Sequence, residues 1–149
     1  MNVPTPIFEE RLSPSVSVVL ALSLSGPMML LAALPFGLPL ALTLAIVVPI
    51  VLIASAFLIS PKIVVSSELQ RGRFRIPLDV ISKAELFVGE EARLERGPRL
   101  DARARLAIRG DIDAVVKVQL SDPLDPTPYV VISTRRPEQL VAALSANRS

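Results

Sequence analysis

The side chains in this sequence that could do chemistry are few in kind. Histidine and cysteine are both absent. Their absence removes the commonest general base and metal ligand, the thiolate nucleophile and any disulfide. Two carboxylate pairs stand out, Asp111 with Asp113 and Asp122 with Asp125. Each lies in a turn-forming stretch, where aspartate is expected to bond the backbone rather than move protons. No glycine-rich phosphate loop, nucleophile elbow or metal-ligand spacing is present. The residues therefore nominate no catalytic group, no cofactor-binding group and no metal ligand, and the expectation is a protein that is not an enzyme.

The arginines carry more information. Arg135 and Arg136 sit in the first turn of an expected C-terminal helix, where a cation is disfavoured by about 0.3–1 kcal/mol. Two readings follow. An external phosphate or carboxylate could bind there, between helix amides and two guanidinium groups. Alternatively, Asp122 or Asp125 supplies a local ion pair, and this plainer reading is preferred because such surface pairs are common. A second group, Lys62, Arg71, Arg73 and Arg75, follows the apolar half of the chain closely. It could touch anionic lipid, or it could be a solvated strand face. Arg93, Arg96, Arg99, Arg103, Arg105 and Arg109 are interleaved with Glu90, Glu91, Glu95 and Asp101 and lack aromatic neighbours. With a net charge of only +2, that pattern speaks against nucleic acid.

The elements that position these groups divide the chain in two. Between Leu12 and Pro61 there is no charged residue, whereas beyond Lys62 charges recur every few positions. A bilayer core of about 30 Å needs roughly 20 helical residues per crossing, so the charge-free stretch suffices for two. Pro35-Phe36-Gly37 marks the turn, giving spans at 16–34 and 38–59, after a cytoplasmic N-terminal tail of residues 1–15. Pro27 and Pro49 lie near the middle of the spans and are expected to kink them. No ionisable residue falls inside either span, so transport of an ion or proton has no candidate carrier. The flanking basic residues, Arg11 on one side and Lys62, Arg71, Arg73 and Arg75 on the other, place both termini in the cytoplasm.

Residues 62–149 read as a β-rich domain of the α+β, mostly β class. Alternation marks seven short antiparallel strands. They begin at Lys62, Glu68, Arg73, Lys83, Arg103, Ala114 and Tyr129. Arg71-Gly72 is expected to turn the first hairpin, bringing Leu69 opposite Phe74 and Glu68 opposite Arg75. Gly89 to Leu100 reads as a loop with at most a helical turn, and Asp122 to Pro128 as a proline-rich stop. Thr134 is the expected N-cap of a closing helix with Pro137 in its first turn and Leu140, Val141 and Leu144 on its apolar stripe.

Seven strands and a closing helix resemble the pleckstrin-homology-like superfold. The run Glu68-Leu69, Gly72-Arg73, Ile76-Pro77-Leu78 and Ile81 resembles the opening of its bacterial membrane-tethered versions. Several signatures together resemble an uncharacterised actinobacterial family of two-span membrane proteins. They are Phe8-Glu9-Glu10-Arg11-Leu12, Arg96-Gly97-Pro98, Asp101-Ala102-Arg103-Ala104, Asp125-Pro126-Thr127-Pro128-Tyr129 and Ser133-Thr134-Arg135-Arg136-Pro137-Glu138. Where such sequences often place an aromatic after the tyrosine, this chain has Val130. The resemblance implies fold and location and no activity.

The functional expectation is a multi-pass protein of the cell membrane, anchored by two spans. Its cytoplasmic domain is a non-catalytic binding module for a protein partner, or the chain forms a homo-oligomer. The alternative is recognition of an anionic lipid headgroup or phosphate, with Arg135, Arg136, Lys62, Arg71, Arg73 and Arg75 as the contacts.

Overall fold

A computed structural model describes residues 5–146 and separates the chain into two compact units. One is Ser13–Ser60; the other joins the segment ending at Leu12 to everything from Pro61 onward. Residues 1–4 of the expected tail and 147–149 of the expected domain lie outside the described residues.

The first unit is a helical hairpin. Helices α1 (Val16–Ser23) and α2 (Ser25–Ala33), followed by a 3-10 turn at Leu34–Phe36, form one arm. The other is α3 (Leu38–Leu58). Two 21-residue helices, Val16–Phe36 and Leu38–Leu58, are long and apolar enough to cross a membrane, in agreement with the spans expected from composition. The two mid-span prolines behave differently. Pro27 lacks the N–H that would bond Ser23, and the first arm breaks at Leu24, where the Ser25 hydroxyl donates to the Leu22 carbonyl at 2.6 Å. Pro49 is absorbed within a continuous α3. The arms touch closely at Gly26, where a Cβ would stand 2.9 Å from the Ala45 carbonyl oxygen.

The second unit has two four-stranded sheets. The first sheet runs β1 (Phe8–Arg11), β2 (Lys62–Val65), β3 (Glu68–Arg71), β4 (Phe74–Pro77), all antiparallel. Its first strand corrects the reading of residues 1–15 as a tail. Phe8, Glu10 and Leu12 alternate inward, and burying Phe8 and Leu12 requires a strand. The hairpin register is also corrected. Gly72 has φ +57, so it takes the first loop position and Arg73 the second. Leu69 then faces Ile76, and Glu68 faces Pro77.

The second sheet holds β5 (Ile81–Phe87), β6 (Arg105–Ala107), β7 (Val115–Leu120) and β8 (Tyr129–Ser133), in the order β5-β7-β8-β6. Among the described residues the segment from Lys62 onward carries the seven strands expected there, β2 to β8, with β1 as an eighth from before the hairpin; they are not all antiparallel, because β6 pairs parallel with β8. The cause lies in β8: every residue of Tyr129–Ser133 is buried. Such a strand belongs in the interior of a sheet, so it inserts between β6 and β7. An aspartate turn from Asp101 to the Arg103 amide keeps the expected strand from starting at Arg103. The glycine-to-leucine loop contains a full helix, α4 (Gly89–Arg96), whose Ala92 closes a small core with Val115, Tyr129 and Val131.

The principal core lies between the sheets under the closing helix α5 (Pro137–Ala146), where Leu140 and Leu144 meet Ile63, Leu69, Val116 and Ile132. Pro137 opens α5 as expected. Thr134 does not cap it, since the first helical bond runs from the Leu140 amide to the Arg136 carbonyl at 3.0 Å.

Candidate functional site

At one end of the domain the chain leaves twice for the hairpin. Arg11 pairs with Lys62 across β1 and β2, and the Leu12 amide donates to the Pro61 carbonyl at 3.0 Å. Both exits thus emerge side by side from adjacent strands.

The charges cluster at this end. Glu10 points inward and is only 4% exposed. Its carboxylate accepts from the Thr134 hydroxyl and, at 3.0 Å, from the Arg135 amide. Thr134 in turn accepts from the Arg136 amide at 3.1 Å. An internal carboxylate therefore fills the anion position ahead of α5 that charge at its N-terminus favours. Arg109 grips Asp111 with two bonds of 2.8 and 3.1 Å, donates from its guanidinium to the Leu12 carbonyl, and donates from its amide to the Ser133 hydroxyl at 2.8 Å. Arg135 reaches Asp111 at 3.6 Å. The ion pair expected of Arg135 exists, but with Asp111 rather than Asp122 or Asp125.

The distal aspartates are engaged elsewhere. Asp122 accepts from the Leu124 amide at 2.8 Å and Asp125 from the Thr127 amide at 2.9 Å. Asp125 also pairs with Arg105 at 3.3 Å. Hydrogen bonds from the Thr127 hydroxyl and amide hold the Asp125 carboxyl below its usual range, despite some opposing desolvation. These contacts brace the loop between β7 and β8, which carries Leu124 at its tip with 93% exposure. Beside it a pocket of about 70 Å³ has an apolar floor including Ile76, Val80 and Leu120, with Arg75, Arg105, Asp122 and Asp125 on its walls. Loop and pocket stand at the opposite end of β7 and β8 from Ser133 and Thr134.

The six basic residues nominated from sequence are thus not one patch. Lys62 is exposed and 3.3 Å from Glu9. Arg73, in the turn, and Arg135 and Arg136, ahead of α5, are exposed. Arg75 belongs to the distal pocket. Arg71 is not a surface residue at all: it is 6% exposed, and its Nη1 has no hydrogen-bond partner among the described residues. Burial, then repulsion from Arg109, pulls its guanidinium pKa down to about 10, with Glu10 partly opposing the fall. The strand alternation explains why: Arg71 shares the inward row with Glu10 and Ile63.

The interleaved arginines farther along hold the domain together. Arg99 pairs with Glu91 at 2.8 Å, and Lys117 with the buried Glu95 at 2.8 Å. Arg96 donates to the Ile112 carbonyl at 3.1 Å and Arg103 pairs with Asp101 at 3.3 Å. Tyr129 serves the same scaffold, accepting from the Asp101 amide at 2.7 Å beneath the Lys117 ammonium.

Fold and site together define a two-helix apolar hairpin inserted between the first and second strands of an α+β domain. The chain belongs to a protein family of unknown function, DUF3093, whose model matches residues 7–144. No curated protein matches the chain, and no solved structure does.

Proposed function

We propose that this chain is a non-catalytic binding module of the cell membrane, anchored by the hairpin, with both termini and the domain in the cytoplasm and a protein as its partner. Insertion is supported by the apolar exterior of the hairpin, where Leu20, Leu31, Ile46 and Ile50 are exposed. Each fully buried side chain of this kind gains roughly 1.5–3 kcal/mol on leaving water. The paired exits at Leu12 and Pro61 suit an even number of crossings, and the basic residues beside them suit the cytoplasmic face. Two sheets closed by a C-terminal helix favour kinship with the pleckstrin-homology-like folds, although β1 before the hairpin and the parallel β6 depart from seven antiparallel strands.

The observation that carries the partner reading is Leu124, 93% exposed on a loop that three prolines, two aspartate turns and the Arg105 ion pair hold in shape. A rigid apolar knob loses little entropy on docking, which is how a few residues come to dominate an interface. A photo-crosslinking residue at position 124 of the full chain, in its native membrane, tests this. Capture of a discrete protein from position 124, and none from Gln139, which is also exposed, is the expected result. Indistinguishable capture from both positions removes the knob as the partner's contact.

A second reading, recognition of anionic headgroups, is favoured by the exposure of Lys62, Arg73, Arg135 and Arg136 at the exit end. It no longer includes Arg71, which is buried, or Arg75, which lines the distal pocket.

A further inference from the structure

The exit end of the domain combines two features that neither the hairpin nor the Leu124 loop requires. The first is a surplus of exposed cations. Arg11 and Lys62 lie within two residues of the hairpin unit, Arg73 occupies the adjoining turn, and Arg135 and Arg136 precede α5. Most carboxylates near this end are matched by a partner: Glu10 is buried, Asp111 is held by Arg109 and Arg135, Glu9 lies against Lys62, and the exposed Glu90 and Glu91 just beyond Val88 pair with Arg93 and Arg99, while Asp113 and Glu138 stay exposed.

The second feature is apolar. The ladder row Phe87–Val115–Ser133 closes this end of the second sheet. Val88 stands one residue beyond it and is 54% exposed, its chain turned back at once by Gly89 with φ +59. On the opposite edge, Ile108 follows the β8 partner Ala107 and is 38% exposed. Two aliphatic side chains thus flank a cationic end, both at the level where the chain departs for the hairpin.

We infer that this end of the domain is a lipid-docking face, with Val88 and Ile108 dipping into the headgroup region of an anionic leaflet and the surrounding cations meeting its phosphates. Aliphatic groups set among arginine and lysine are the chemistry of interfacial attachment, in which apolar burial and attraction to anionic lipid add. A water-soluble partner offers no reason for these two features to coincide at the level of the span exits. An anionic leaflet meets both. The inference rests on the hairpin being the membrane anchor, and it goes beyond headgroup recognition by assigning the side chains that enter the lipid.

The chain contains no tryptophan, so single tryptophans introduced into the full protein report depth cleanly. Four variants, Val88→Trp, Ile108→Trp, Leu124→Trp and Leu44→Trp, would be reconstituted in vesicles of phosphatidylcholine and phosphatidylglycerol carrying acyl chains brominated near the headgroup. In each, circular dichroism first confirms an unchanged fold. Tryptophan at 44 should be quenched in every vesicle, reporting the anchor. At 88 and 108 emission should fall roughly two-fold in anionic vesicles. That quenching should weaken in high salt, in pure phosphatidylcholine, and when Arg135 and Arg136 are both replaced by Ala. At 124 emission should not change. Quenching at 44 with none at 88 or 108 overturns docking and leaves the anchor standing. No quenching at 44 overturns the anchor itself. Quenching at 88 and 108 that ignores lipid charge and salt also overturns the proposal, as does equal quenching at 124.

Discussion

Arg71 and Glu10 show how far a residue's role depends on what lies across the sheet from it. The buried guanidinium of Arg71 leaves Nη1 unbonded, and a buried ion without a full set of partners is destabilising. Arg71→Met should therefore raise stability by roughly 1–4 kcal/mol, the range seen when buried ions give way to apolar side chains, as measured by denaturant unfolding in micelles. The pH dependence has a definite sign. Arg71 sheds its proton near pH 10 in the folded state and only at a higher pH in the unfolded chain, where burial and Arg109 no longer act on it. Between those values the unfolded chain binds more protons, so stability attributable to this group rises with pH. The rise should vanish in the methionine variant. Glu10 predicts the reverse. Glu10→Gln keeps the shape but removes the charge that the α5 N-terminus and Thr134 address, and it should cost roughly 1–3 kcal/mol. An unchanged unfolding midpoint would show that the carboxylate's charge is not what ties β1 to α5.

Two elements lend themselves to the same treatment. In the hairpin, Gly26 lets α2 approach α3 until a Cβ would stand 2.9 Å from a backbone oxygen. Because that oxygen belongs to the main chain of α3, it cannot swing aside as a side chain would. Gly26→Val should separate the arms. With no native cysteine to interfere, oxidative crosslinking of a cysteine pair placed across α2 and α3 should drop severalfold. In the domain, the loop from Asp122 to Pro128 depends on ionised Asp125. Its pKa is lowered by Thr127, so the clamp is complete above the ordinary value of 3.8 and is lost as pH falls through the lower folded value. The amide resonance of Thr127 should accordingly move toward a random-coil position only below about pH 4. Movement complete at a higher pH would mean the carboxylate is not the clamp.

At the scale of the whole molecule, the parts legible in the sequence are those governed by local rules. The two apolar arms could be read because hydropathy and the Pro35-Phe36-Gly37 turn are properties of contiguous residues. The alternation of β2, β4 and β7 and the Pro137 start of α5 were readable for the same reason. What escaped notice was pairing across distance. Glu10 meets Thr134 across 124 positions, and no local pattern announces that bond. One signal was available: Phe8-Glu9-Glu10-Arg11-Leu12 already alternates, with an acid at an inward position. Likewise, the expectation of an anion near Arg135 was sound in kind but named the wrong aspartates, because only the folded sheets bring Asp111 beside it. The count of seven strands after Lys62 held, but the expectation that all are antiparallel failed where β8, buried throughout, claimed the middle of its sheet and left β6 parallel at the edge.

The pairing of β1 with β2 bears on how such a protein is made. Phe8–Arg11 leaves the ribosome before either arm of the hairpin, and Lys62–Val65 only after both. Under the proposed membrane anchoring, the edge of the first sheet would stay open through the whole of insertion and close when the second arm has returned. A chain whose hairpin entered the bilayer by only one arm would maroon its opening strand across the membrane from the other seven. Glu10 would then never reach Thr134, so an error of topology would become an error of folding, visible to the proteases that clear unfolded chains.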